Sequence, residues 1–166
     1  VISKRVKELG AEVSKDYEGK DLLVVGVLKG SIVFTADLIK AITIPCEIDF
    51  MAVSSYGKAS ESSGIVRILK DLDNDIEGKH ILIVEDIVDT GTTLSYLLEY
   101  LKARKAASIE IIALLNKEAR RKSNVTVKYS GFDVPDEFIV GYGIDYAEKY
   151  RNLPFIGSLK REIYEK

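Results

Sequence analysis

The chain has 166 residues, 30% charged and 46% hydrophobic, with a net charge of −2 and a pI near 5.6. That length suits one domain with a core of its own, and the mild acidity argues against nucleic acid or an anionic membrane as the main partner. No apolar run approaches the roughly 18 residues that cross a bilayer, the charged N-terminus has no signal-type apolar region, and the lone Cys46 excludes an intrachain disulfide. A single domain over 1–166 in a reducing, cytoplasmic setting is the expectation.

Taken in chain order, Val6, Leu9 and Val13 recur at helical spacing and predict a helix over 4–16. Residues 21–28 read as a buried strand, 31–42 as a helix and 47–53 as a second strand. The segment 54–64 is rich in Ser and Gly and reads as a mobile loop, after which 65–69 resumes as a strand. Residues 81–84 predict a buried strand, 94–101 a helix and 108–115 a further strand; 125–130 and 138–142 are shorter strand candidates. Strands alternating with helices imply an α/β domain with a mainly parallel sheet, whose ligands bind beyond the strand C-termini. Asp71-x-Asp73-x-Asp75 opens like a calcium loop, but Ile76 stands where glycine is required and Leu82 where glutamate is required. His80 has no Cys or His partner spaced for zinc, and neither a Walker A pattern nor G-x-G-x-x-G occurs.

The most informative stretch is Ile81-Leu-Ile-Val-Glu-Asp-Ile-Val-Asp-Thr-Gly-Thr-Thr-Leu94. Its apolar strand delivers Glu85 and Asp86 to the strand's C-terminal end, and Asp89 follows. Thr90-Gly91-Thr92-Thr93 then opens a helix. A small, hydroxyl-rich turn at a helix N-terminus offers amide donors, a positive dipole end and short side-chain donors, which is a cradle for phosphate. Carboxylates just upstream suit the hydroxyls of a sugar diol. Together they describe a site for a ribose phosphate.

This stretch resembles the phosphoribosyl-pyrophosphate signature of the type I phosphoribosyltransferases. Further matches occur in that family's order. They are Leu28-Lys29-Gly30-Ser31, Ser54-Ser55-Tyr56-Gly57, Lys117 after Ala113-Leu114-Leu115-Asn116, and Val134-Pro135-Asp136-Glu137-Phe138-Ile139-Val140-Gly141-Tyr142 leading to Asp145 and Arg151. They narrow the resemblance to the short bacterial hypoxanthine-guanine branch and cover nearly the whole chain. It implies a type I phosphoribosyltransferase fold: a mainly parallel sheet flanked by helices, with a small hood built from the chain's ends. Against that family the chain is expected to begin within the N-terminal strand region.

The resemblance also implies roles. Glu85 and Asp86 hold the ribose diol, Asp89 handles the proton at the purine, and Asp89, Thr90, Gly91, Thr92 and Thr93 cradle the 5′-phosphate. Lys29, Gly30, Ser55, Tyr56 and Arg151 serve pyrophosphate, with the Leu28–Lys29 bond cis and 54–64 acting as a lid. Lys117, Phe138, Ile139 and Asp145 face the base, and Glu85, Asp86 and Asp145 serve Mg2+. The substrates implied are phosphoribosyl pyrophosphate and a 6-oxopurine, with a homodimer or homotetramer as the assembly. Read without the resemblance, several of these residues have plainer accounts. Residues 28–31 make an ordinary strand-to-helix turn with Ser31 as N-cap. Asp89 complements a helix dipole, Lys117 is a solvated charge beside Arg120-Arg121-Lys122, and Phe138 belongs to the core.

Overall fold

The first helix, α1 (Ile2–Asp16), buries the stripe Val6, Leu9 and Val13 that its spacing dictates. Gly10 interrupts it at a cost of about 1 kcal/mol against alanine, because a Cβ there would lie 2.6 Å from the Ala41 carbonyl oxygen at the end of the second helix. Ser14 completes that contact, donating to Gly10 O at 2.7 Å and accepting from Thr43 N at 2.9 Å.

The computed structural model describes residues 1–55, 66–122 and 124–160. After α1 come β1 (Leu22–Leu28), α2 (Ile32–Ala41), β2 (Glu47–Ser55), β3 (Val66–Lys70), β4 (His80–Val88), α3 (Thr92–Lys102), β5 (Ser108–Asn116), β6 (Tyr129–Asp133), β7 (Ile139–Val140) and β8 (Gly157–Ser158). Six strands form one sheet in the order β3-β2-β1-β4-β5-β6, parallel throughout except for β3, which runs antiparallel on the β2 edge.

Period-two alternation sorts the sheet's side chains onto two faces, both covered. Val24, Leu82, Val84, Ile112 and Leu114 join α1 and α2 in one apolar cluster. Leu23, Val25, Val27, Ile81, Ile83 and Ile111 join Leu94, Leu97 and Leu101 of α3 in the other. β7 and β8 make a small separate antiparallel ladder.

Four elements differ from expectation. β2 runs on to Ser55, because Ser54 and Ser55, expected to open the loop, pair with Arg67 and Val66 of β3. β4 runs on through Val88, because Glu85, Ile87 and Val88 keep their pairing with β5. The strand expected over 125–130 begins only at Tyr129: Val125 is buried, but the ladder to β5 opens with Tyr129 opposite Ile112. The strand expected over 138–142 contracts to two paired residues, since Gly141, Tyr142 and Gly143 all turn to positive φ (100°, 51° and 96°).

The Asp71-x-Asp73-x-Asp75 stretch is committed to contacts of its own. Ile76 is fully buried in the core, Asp71 accepts from Tyr100 and Arg104, and Asp75 accepts from Glu77 N. No described helix is long and apolar enough to cross a membrane.

Candidate active site

The chain leaves β1 to build β2 and β3 on one side, then returns to lay β4 along β1's other flank. The crevice beyond the C-termini of β1 and β4 is therefore a topological switch point, where sheets of this kind bind ligands. From β1 comes Leu28-Lys29-Gly30, with the Leu28–Lys29 peptide bond cis. Ser31 is fully buried and turns its hydroxyl back to Val27 O at 2.7 Å, so it opens α2 without capping an amide through its side chain.

From β4 come Glu85 and Asp86, on opposite faces of the strand. Asp86 faces Gly30 so closely that a Cβ at that position would collide with its carboxylate. Burial pushes both carboxyls up. Glu85 rises well above the ordinary carboxylate range, and the Asp86 charge adds to the shift. Asp86 rises to about 6, the Asp145 charge adding to burial while the amides of Ile87 and Asp86 and the Arg151 charge hold it down. Both acids are disfavoured as anions by burial, a state that a cation or hydroxyl donors beside either carboxylate would relieve.

Past β4, Gly91 takes φ 82°, a left-handed turn that glycine adopts freely, and starts α3. The hydroxyls of Thr90 and Thr92 lie 3.3 Å apart across this turn. The first amides of α3 have no acceptor within the helix, so the turn presents donors at the positive end of the dipole.

The segment after β5 braces this loop. Lys117 N donates to Val88 O at 2.9 Å and Lys122 N to Thr90 O at 2.8 Å. Arg121 binds Asp89 O at 3.1 Å, Val125 O at 3.2 Å and the Asn116 side chain.

Lys117 is 8% exposed, and its ammonium donates to Glu137 O at 2.8 Å beside Asp136. It is therefore not a solvated charge. Phe138, next to Glu137, is 53% exposed and so not part of the core, while Ile139 pairs with Ser158 in the small ladder. That ladder and its turns also carry Asp145 and Arg151. Arg151 donates to Gly143 O at 2.7 Å and lies 3.5 Å from Asp145 and 3.3 Å from Glu148; Glu148 also lies 3.5 Å from Lys29.

Lys29, Gly30, Asp86, Asp145 and Arg151 thus come together at one crevice, with Glu85 next to Asp86 on β4. The 89–93 turn lies at the end of β4, and Lys117 with 138–139 at the end of β5. Ser55 closes β2; its side chain, Tyr56 and nearly all of the expected lid lie outside the described residues. Sequence reasoning missed Arg121, Asn116, Gly143 and Glu148. A charge run and two short polar positions give no periodic signal; the glycine after Gly141-Tyr142 is the one sign that a sharp turn packs there.

Residues 2–147 match the phosphoribosyl transferase domain family. The chain is 57% identical over 164 residues, 99% of its own length and 91% of the relative's, to a hypoxanthine-guanine phosphoribosyltransferase of Bacillus subtilis (strain 168). The structure is similar to the crystal structure of a hypoxanthine phosphoribosyltransferase from Staphylococcus aureus, with TM-score 0.97 and 55% identity, covering 99% of this chain and 90% of that one. It also matches a hypoxanthine-guanine phosphoribosyltransferase from Bacillus anthracis, solved with a HEPES molecule in its active site, at TM-score 0.92 and 50% identity over 96% of this chain and 94% of that one. With a family model across most of its length and these relatives across nearly all of it, the chain belongs to the phosphoribosyltransferase family, within its hypoxanthine-guanine group.

Proposed function

We propose that the protein transfers the phosphoribosyl group of phosphoribosyl pyrophosphate to N9 of hypoxanthine or guanine, giving the nucleoside monophosphate and pyrophosphate in purine salvage. The observation that carries this is the crevice itself. A hydroxyl-rich helix start, two crowded carboxylates and a buried lysine beside an exposed phenylalanine meet at the switch point of a sheet whose relatives bear that name.

In this reading the amides and hydroxyls of Thr90, Gly91, Thr92 and Thr93 hold the 5′-phosphate together with the Asp89 backbone, and Glu85 and Asp86 accept hydrogen bonds from the ribose diol. Asp89 takes the proton that must leave the purine as its N9 is glycosylated. Lys29, Gly30, Ser55, Tyr56 and Arg151 receive pyrophosphate, for which a guanidinium fork is well suited. Phe138 and Ile139 form the platform for the base, with Asp145 at its edge. The Lys117 ammonium donates to O6, which favours a 6-oxopurine over adenine, since adenine would set a donor against a donor. The 54–64 segment serves as a lid that keeps water from the oxocarbenium-like carbon, and the turns around β7 and β8 form part of the hood.

Mg2+ fits the same site. It commonly uses one or two carboxylates together with substrate phosphates, and Glu85, Asp86 and Asp145 supply the carboxylates. Among the described residues no three His, Cys, Asp or Glu side chains are grouped so as to hold a metal ion. Bound there, it would neutralise charge on the pyrophosphate. The reading includes a cytoplasmic location and self-association as a dimer or tetramer, which sedimentation would measure.

The test is pyrophosphate release with Mg2+, phosphoribosyl pyrophosphate and hypoxanthine, guanine, xanthine or adenine in turn. Turnover with hypoxanthine and guanine and little with adenine is expected. Binding of phosphoribosyl pyrophosphate with no turnover on any base would replace this reading with a regulator. Asp89→Asn should cut kcat by about 10²–10⁴ while the KM for phosphoribosyl pyrophosphate stays within a few-fold; kcat near wild type would remove Asp89 from proton transfer.

A further inference from the structure

The turn that carries Arg151 toward the crevice is built from three successive left-handed residues, Gly141, Tyr142 and Gly143. Glycine adopts that conformation freely; tyrosine does not, so something must hold it there. The backbone bonds of the turn stay within the hood: Gly141 with Ile144, Tyr142 N to Leu153 O at 2.8 Å, and Gly143 N to Arg151 O at 2.9 Å. They fix the turn to its own ladder but not to the body of the protein.

Besides Ile144 in the main apolar cluster and the exposed Lys29–Glu148 ion pair, two contacts reach the body. Gly143 packs against the Gly30 carbonyl, where a Cβ would come within 2.6 Å of the oxygen. The Tyr142 side chain, 6% exposed, sinks into the same apolar cluster as Phe34 and Leu38 of α2 and donates its hydroxyl to Asp37 on that helix. Ser31, the N-cap of α2, directly follows Lys29 and Gly30. One side-chain bond therefore joins the helix behind the Lys29-Gly30 loop to the turn in front of Arg151, whose guanidinium grips Gly143 O at 2.7 Å.

We propose that Tyr142 and Asp37 are positioning residues, which set the spacing between the Lys29-Gly30 loop and Arg151 and so preorganise the two sides of the pyrophosphate subsite. Neither touches the reacting atoms. The inference rests on the reading of the crevice as a phosphoribosyl pyrophosphate site. The buried phenol bonded to a carboxylate suits the task, because a charge-assisted bond is directional and short, while apolar packing alone would let the turn slide along α2.

The experiment compares wild type, Tyr142→Phe, Asp37→Ala, Asp37→Asn and the Tyr142→Phe/Asp37→Ala double variant in steady-state kinetics. KM is measured separately for phosphoribosyl pyrophosphate and for hypoxanthine, and melting temperature alongside. Tyr142→Phe keeps the ring and loses the bond. It should raise the KM for phosphoribosyl pyrophosphate about ten-fold, the scale of one hydrogen bond to a charged group, with the KM for hypoxanthine within two-fold. Asp37→Ala should match it, the double variant should be no worse than either single, and Asp37→Asn, which retains an acceptor but not the charge, should raise it less than Asp37→Ala. A tie that merely stabilised the fold would lower the melting temperature and the active fraction but leave both KM values alone. That outcome, or additive single effects, overturns the proposal. Should Tyr142→Phe fail to fold, Asp37→Ala, made on a half-exposed helix position, decides by the same KM ratio. A wild-type protein without turnover would instead refute the proposed reaction, and this inference with it.

Discussion

Asp86 occupies a position that only a glycine opposite could leave open, and its carboxyl titrates near 6 because burial and the Asp145 charge outweigh Arg151 and two amides. A raised acid of this kind weakens the ligand-free fold once it ionises. The cost is absent below the pKa of the unfolded chain, near 4, grows as pH rises toward 6, and is complete above that. Asp86→Asn should therefore raise the melting temperature of the ligand-free protein at pH 8, with the gain shrinking to nothing by about pH 4. Equal gains at both pH values, measured by thermal denaturation, would show that the carboxylate is not strained by its surroundings. Under the proposed function, a diol and a cation bound there would relieve this instability. Lys117 shows the complementary case. Its cation is buried, yet the Glu137 carbonyl and the neighbouring Asp136 carboxylate compensate it.

At the scale of elements, the site is a set of loops held by their neighbours rather than by themselves. Arg121 joins the Asp89 backbone, the end of β5 and Val125 through one guanidinium. Arg121→Ala should lower kcat/KM by about ten- to a hundred-fold, the scale of losing several bonds to a charged donor. Millimolar guanidinium in the assay should recover part of the loss, and a rate that guanidinium leaves unchanged would rule out this bracing role. Nothing in the order Arg120-Arg121-Lys122 distinguishes the middle residue, because a charge run reads as solvated unless the fold brings carbonyls to it. By contrast, the 81–94 stretch was legible, since strand, acids and helix start follow one another without any distant partner. β6 and β8 were not. Val125 is buried without being paired, and Gly157-Ser158 has no side-chain pattern to announce a strand.

Across the whole molecule, the alternation of strands and helices was enough to give the α/β class and the parallel sheet, whereas the order of strands depends on pairings between segments far apart in the chain. That order fixes which half of the site can move. β4 lies between β1 and β5, with Leu82 and Val84 in one apolar cluster and Ile81 and Ile83 in the other. Glu85 and Asp86 extend directly from this strand, while Asp145 and Arg151 follow a two-residue ladder that meets the core through Tyr142 and Ile144. Amide hydrogen exchange should report the difference. The amides of 81–84 should exchange only through global unfolding, and pyrophosphate with Mg2+ should slow them by no more than the gain in overall stability. The amides of 141–145 should exchange through local opening and slow by a larger factor. Equal slowing in both segments would mean that the crevice opens and closes as one body. Unequal slowing would instead mean, under the proposed function, that the protein holds its ligand as a vice does, with one jaw cast into the frame and the other bolted to it through Tyr142.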